Sequence, residues 1–104
     1  MAAEEEKALG GGLEAETLTR SLELTNRFGL HARCAAKIVK LVQETSSQVF
    51  FSKDGQKVDA SSIISLLTLN CPKGSKVEIE ARGKDAAEVL AKLSELFDRN
   101  FDED

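Results

Sequence analysis

Between Thr17 and Phe97 the spacing of apolar residues switches repeatedly between a period of two and helical spacing, and that alternation restricts the chain more than any other feature. Thr17–Thr25 has mostly apolar even positions, Leu18, Leu22 and Leu24 with Arg20 between them, and reads as a strand. From Ala32 to Glu44 the stripe Ala35, Ile38, Val39 and Val42 marks a helix. Gln48–Ser52 is β-prone around Val49-Phe50-Phe51, and Asp54-Gly55 signals a hairpin returning through Lys57–Asp59. Ser61 or Ser62 opens a short helix, Ile63–Leu69, that is apolar almost all round. Lys76–Ala81 alternates Val77, Ile79 and Ala81 against Lys76, Glu78 and Glu80. Asp85 caps a last helix with Ala86, Val89, Leu90, Leu93 and Leu96 facing inward. The order is βαββαβα. Helices of this length pack most simply on one face of a four-stranded antiparallel sheet, which predicts an α+β sandwich.

With 104 residues there is room for one domain of usual size. The pattern divides the chain into a disordered acidic N-terminal extension (1–16, broken by Gly10-Gly11-Gly12), a domain (17–98) and an acidic C-terminal tail (99–104) that is expected to fray. The net charge of −4 conceals a gradient: residues 1–16 carry −4 and residues 98–104 carry −3, leaving +3 for residues 17–97. Such a body suits a small anion or an acidic protein face. It is too weakly basic, and with no Trp or Tyr too poor in aromatics, for nucleic-acid binding. No apolar run approaches the about 18 residues of a membrane span, and the acidic N-terminus is unlike a secretory leader. Two cysteines make no disulfide framework, so a cytoplasmic chain with reduced thiols is expected.

The single histidine, His31, follows Phe28-Gly29-Leu30 and directly precedes the Ala32 helix. That is an N-cap position, where the first-turn amides of Ala32 and Arg33 lack internal partners and carry partial positive charge. A phosphate carried on the imidazole would meet those amides, with the Arg33 guanidinium beside it. Neutral imidazole keeps one lone pair free to attack phosphorus at neutral pH. No P-loop or magnesium-binding carboxylate cluster accompanies it, so donor and acceptor sites must lie on other proteins. From spacing alone, a surface histidine capping a helix is more often structural than chemical.

The segment Gly29-Leu30-His31-Ala32-Arg33-Cys34-Ala35-Ala36 resembles the active-site signature of the HPr family, the histidine-containing phosphocarriers of the bacterial phosphoenolpyruvate:sugar phosphotransferase system. The resemblance continues through Val58-Asp59-Ala60-Ser61-Ser62-Ile63-Ile64-Ser65-Leu66-Leu67 and Leu69-Asn70-Cys71-Pro72-Lys73-Gly74. It implies the HPr-like open-faced β-sandwich, βαββαβα, with three helices on one face of the sheet. It also implies that His31 accepts a phosphoryl group on Nδ1 from enzyme I and donates it to IIA domains, with Arg33 supporting the phosphate. Ser62 falls on the family's regulatory serine, the target of HPr kinase/phosphorylase; without the resemblance it is simply a helix cap. Ile63, Ile64 and Leu67, with Lys40 on the basic rim, are expected to dock partners. The implied molecule is a monomeric carrier without cofactor or direct membrane contact, and a carrier rather than a stand-alone enzyme.

Two alternatives stay open. One is a regulatory interaction module of the nitrogen-related branch, or one controlled at Ser62, with no direct role in sugar uptake. The other is a thiol role for Cys34, which stands where the family usually has proline: a helix N-terminus and Arg33 would lower its pKa. No metal site is expected, since beyond His31 and Cys34 only Cys71 remains as a Cys or His ligand.

Overall fold

Among the described residues the two periodicities resolve into four strands and three helices in the expected order. They are β1 (Thr17–Glu23), α1 (Ala32–Gln43), β2 (Gln48–Lys53), β3 (Gln56–Asp59), α2 (Ile63–Leu67), β4 (Lys76–Arg82) and α3 (Ala86–Asp98), followed by a 3-10 turn, Asn100–Asp102. The structure, a computed structural model, describes residues 16–103. The expectation of a disordered extension lies outside the described residues except at Glu16.

The sheet is antiparallel throughout, in the order β1-β4-β2-β3. Its register sets Leu18 against Ala81, Leu22 against Val77, and Phe51 between Ile79 and Val58. Alternation therefore gathers one apolar face, which the helices cover. α3 lies on β1 and β4, α1 packs against α2 and α3, and α2 reaches β3. The opposite face is polar apart from Phe50, whose ring Lys57 covers at 5.0 Å; there Glu80 pairs with Lys57 at 2.9 Å and with Arg82 at 3.4 Å. The hairpin tip is left-handed at Asp54 and Gly55, so Lys53 pairs with Gln56 across a two-residue turn.

Boundaries moved by one or two residues where the backbone found other partners. β1 stops at Glu23 because Leu24 instead exchanges hydrogen bonds with the loop ahead of β4, donating to the Ser75 carbonyl and accepting from the Gly74 amide. α2 stops at Leu67, two residues short of the expected end, and Asn70 then turns left-handed with φ 54°.

Asp85 stands at the N-cap of α3 but does not cap it through its side chain. Its carboxylate accepts from the Ser47 hydroxyl and, at 3.0 Å, from the Ser46 amide, tying the loop ahead of β2 to the start of α3. Those hydrogen bonds, the Ser47 hydroxyl foremost, hold the Asp85 carboxyl below its ordinary range against the opposing effect of burial. A depressed folded-state pKa stabilises the fold above the unfolded-state value and loses that contribution as pH falls through the folded value. Asp85→Asn is therefore expected to lower the Tm at neutral pH and to flatten its decline in the acid range, read by thermal melts from pH 7 down to pH 2.

The frayed tail expected beyond Asp98 is corrected. Asn100, Phe101 and Asp102 all have left-handed backbone, φ 53°, 58° and 60°. Such a run costs about 1–2 kcal/mol per residue for non-glycine residues. Burial of Phe101 offsets part of that cost: its ring is fully enclosed, 4.9 Å from the Phe97 ring, and Phe97 in turn lies 6.2 Å from Phe51. Arg99 pairs with Asp102 at 2.9 Å, and Thr25 donates to Asn100 Oδ1 at 2.7 Å. The last described residues thus form a strap laid back across the N-terminal end of α1. Among the described residues, no helix is long and apolar enough to cross a membrane.

Candidate functional site

His31 takes the N-cap position of α1 in extended backbone, φ −112° and ψ −179°. Two features hold it there. Gly29 is left-handed (φ +66°) and lies so close to the Cys71–Pro72 backbone that no side chain would fit. Leu30 then donates to the Cys71 carbonyl at 2.8 Å, fastening the loop ahead of α1 to the loop after α2. Asn26, expected only as a turn residue, is fully buried beneath this loop. Its amide donates to the Gly29 carbonyl at 2.8 Å and to Cys34 Sγ at 3.3 Å. Sequence gives little warning of such a role, because asparagine in a turn needs no burial to be explained.

The two nitrogens of His31 have different partners. Nδ1 accepts the Arg33 backbone N–H at 3.2 Å. An amide can only donate, so this geometry puts the ring proton on Nε2 and the lone pair on Nδ1, where the Arg33 amide engages it. Nε2 donates to Glu103 Oε1 at 3.0 Å and lies 3.3 Å from Cys34 Sγ. The ring remains 24% exposed. Glu103, on the strap, is 14% exposed, and its second oxygen lies 3.7 Å from both Arg33 Nε and Cys34 Sγ. Lys37 donates to the Phe101 carbonyl, which helps hold the strap in place. Burial pushes the Glu103 carboxyl up, but the hydrogen bond and electrostatic attraction of the His31 ring, with the Arg33 charge, bring it below its usual value.

Cys34 departs from its expected chemistry. The helix N-terminus and Arg33 were expected to lower its pKa, but the thiol is fully buried and burial raises it, outweighing the backbone hydrogen bond at His31. A thiol kept protonated at neutral pH is a poor nucleophile, which removes the basis of the thiol alternative. The metal expectation also changes. Glu103, not Cys71, supplies a third potential ligand beside His31 and Cys34, with ligand atoms all within 4.8 Å of one another.

Ser62 caps α2, accepting from the Ser65 amide at 3.1 Å. Ser61 turns away to donate to Asp59. Beyond Ser62, Ile63, Ile64 and Leu67 are exposed, Ile64 by 77%, while Leu66 turns into the core. Lys40 and Lys73 are exposed as well. Phe28, which turn propensity disguised, is 65% exposed with its ring edge-on to His31 at 6.3 Å. An exposed aromatic beside the site extends the apolar surface that the sequence located only on α2.

A family model described as "PTS HPr component phosphorylation site" matches residues 18–99. The phosphocarrier protein NPr of Escherichia coli (strain K12) is 40% identical over 89 residues, 85% of this chain and 99% of the relative. The phosphocarrier protein HPr of Xylella fastidiosa (strain Temecula1) is 36% identical over 87 residues, 84% of this chain and 98% of the relative. Among solved structures, HPr-C-His from Thermoanaerobacter tengcongensis superimposes with a TM-score of 0.80 at 36% identity, over 84% of this chain and 98% of that one.

Proposed function

The chain belongs to the HPr family of phosphotransferase-system phosphocarriers, and on that premise we propose that His31 carries the phosphoryl group, taking it on Nδ1 from phosphorylated enzyme I and passing it to a IIA domain. The division of labour between the two ring nitrogens carries this reading. Nδ1 holds a lone pair at the mouth of α1, and Glu103 keeps the proton on Nε2. As Nδ1 bonds to phosphorus, the donor's bond to phosphorus breaks and its electron pair stays with the donor. Positive charge developing on the ring is stabilised through Nε2–H by the Glu103 carboxylate. The phosphoryl oxygens then take over as acceptors for the Ala32 and Arg33 amides, and the exposed Arg33 guanidinium reaches them.

In this reading the protein is a cytoplasmic monomer without a cofactor, and donors and acceptors meet it in turn at one surface. Phe28, Ile63, Ile64 and Leu67 form the apolar part of that surface, and Lys40 contributes to a basic rim. Ile64→Glu is expected to raise the KM for enzyme I about tenfold or more with an unchanged Tm, because Ile64 contributes little to the core. Ser62 is the proposed target of HPr kinase/phosphorylase. Ser62→Asp is expected to keep α2 folded, since negative charge suits a helix N-terminus, while raising the same KM about tenfold through repulsion and desolvation at the docking face. Steady-state kinetics and melts check both.

The decisive test is labelled phosphoenolpyruvate with enzyme I. One phosphoryl group per chain is expected, lost in acid and retained in base, as a P–N bond requires. A label that survives acid would overturn the assignment to His31. A second reading, service in the nitrogen-related branch without direct sugar uptake, is favoured by the 40% identity to NPr against 36% to HPr. Comparing transfer from the labelled protein to sugar-type and nitrogen-branch IIA domains decides between them.

A further inference from the structure

We propose that His31 Nε2, Cys34 Sγ and the Glu103 carboxylate form a zinc site that closes the phosphorylation centre when occupied. The spacing of the donors supports this. Zinc bonds of about 2.3 Å to sulfur and about 2.0–2.2 Å to nitrogen and oxygen give tetrahedral edges of about 3.4 Å for N–O and about 3.6 Å for the two edges to sulfur. Nε2 and Sγ lie 3.3 Å apart, Oε1 lies 3.0 Å from Nε2 and Oε2 lies 3.7 Å from Sγ, and one ligand atom from each of the three residues lies within 4.8 Å of the others. Turning one carboxylate oxygen inward, so that it faces both Nε2 and Sγ, completes three corners. The fourth corner is left to water, and the 24% exposure of the His31 side chain gives an ion access to the ring.

The chemistry of the set agrees. One thiolate, one imidazole and one carboxylate suit zinc better than magnesium or calcium, which prefer oxygen alone. Binding releases the Cys34 thiol proton to water, and the two anionic ligands neutralise the charge of Zn²⁺. Arg33, the opposing cation, is 75% exposed and free to swing away from Glu103. The donors come from three separate places: the N-cap, the first turn of α1 and the strap. A proline at position 34 could not supply this ligand, so the site depends on the departure from the family pattern.

Ligation through Nε2 displaces the proton held there, which passes through water to Nδ1 and keeps the ring neutral. Nδ1 then has no lone pair for phosphorus and no longer accepts from the Arg33 amide. Zinc occupancy and phosphoryl acceptance therefore exclude each other, a consequence that rests on the function proposed above, whereas the site itself does not.

The test uses the full chain and cobalt(II) as a spectroscopic stand-in. One cobalt per chain is expected, with a thiolate-to-metal charge-transfer band in the near ultraviolet that stoichiometric zinc abolishes by displacement. Cys34→Ser is expected to remove the band and Cys71→Ser to preserve it. Glu103→Gln, which keeps the shape of the side chain and one oxygen to accept from His31, is expected to raise the zinc dissociation constant about 100-fold, since even a group that merely supports a ligand is worth about 10–100-fold. No band, a band that follows Cys71, or unchanged affinity in Glu103→Gln overturns the site. Zinc bound with an unaltered rate of phosphoryl acceptance overturns the exclusion. Failure of the metal-free protein to accept label falls on the phosphocarrier reading alone.

Discussion

His31→Ala is expected to accept no phosphoryl group from enzyme I and labelled phosphoenolpyruvate, a loss with no residual rate to measure. Transfer needs a nucleophile whose bond to phosphorus is easily broken again, and imidazole supplies it through the Nδ1 lone pair at the mouth of α1. The nearest substitute, Cys34 Sγ at 3.3 Å from the ring, is a buried thiol that burial holds in its protonated form. The variant should still fold. It forfeits the cap on α1, worth about 0.5–2 kcal/mol, and the hydrogen bond to Glu103, and most of the core lies elsewhere. A melt showing a cooperative transition beside a blank autoradiograph is the expected pair of results. Wild-type labelling in this variant would move the acceptor to another residue, and the acid stability of the label would identify its class.

Gly29→Ala should produce the largest loss of stability of any single methyl addition in the loops. An alanine there bears the cost of φ +66° and also sets its Cβ 2.2 Å from the Cys71 carbonyl oxygen and 2.7 Å from the Pro72 carbonyl carbon. Those neighbours are backbone atoms already committed, one accepting from Leu30 and the other segment accepting from Ser75. The loop must open, so a cost of about 3–5 kcal/mol is expected from left-handed strain together with overpacking. That is a large share of the about 5–15 kcal/mol that holds a domain folded. Gly55→Ala provides the control: its φ of +83° is equally left-handed, but nothing lies within 4 Å of the added carbon. It should lose only about 1 kcal/mol, from backbone strain alone. Urea midpoints for the two variants separate the steric effect from the conformational one, and equal midpoints would refute the close approach.

Much of the architecture could be read from residue spacing. Asp54-Gly55 located the hairpin, Val77, Ile79 and Ala81 located the central strand, and the apolar stripe after His31 fixed α1 to within a residue. Local patterns of this kind are visible because each element repeats its own signal. The strap left no such trace. Phe101 is a single aromatic among acidic neighbours, and neither periodicity nor composition distinguishes it from a frayed end. Only the cavity beside Phe97, assembled from distant parts of the chain, gives that ring a place. The same reason hid the partners of Asp85, which look like a cap in sequence but connect to Ser46 and Ser47 in space. At the candidate site, the position of His31 was legible, since capping is a local event. Glu103 and Asn26 were not, because their contacts with Cys34 span 69 and 8 residues of chain.

Both thiols of this molecule are sealed: Cys34 has no exposed surface and Cys71 is 4% exposed. A water-soluble alkylating reagent can reach them only while the surrounding loops are momentarily apart. Its rate of reaction is thus a clock for breathing around the imidazole. Run on single-cysteine variants, it would time the opening on either side of the Leu30–Cys71 clasp separately.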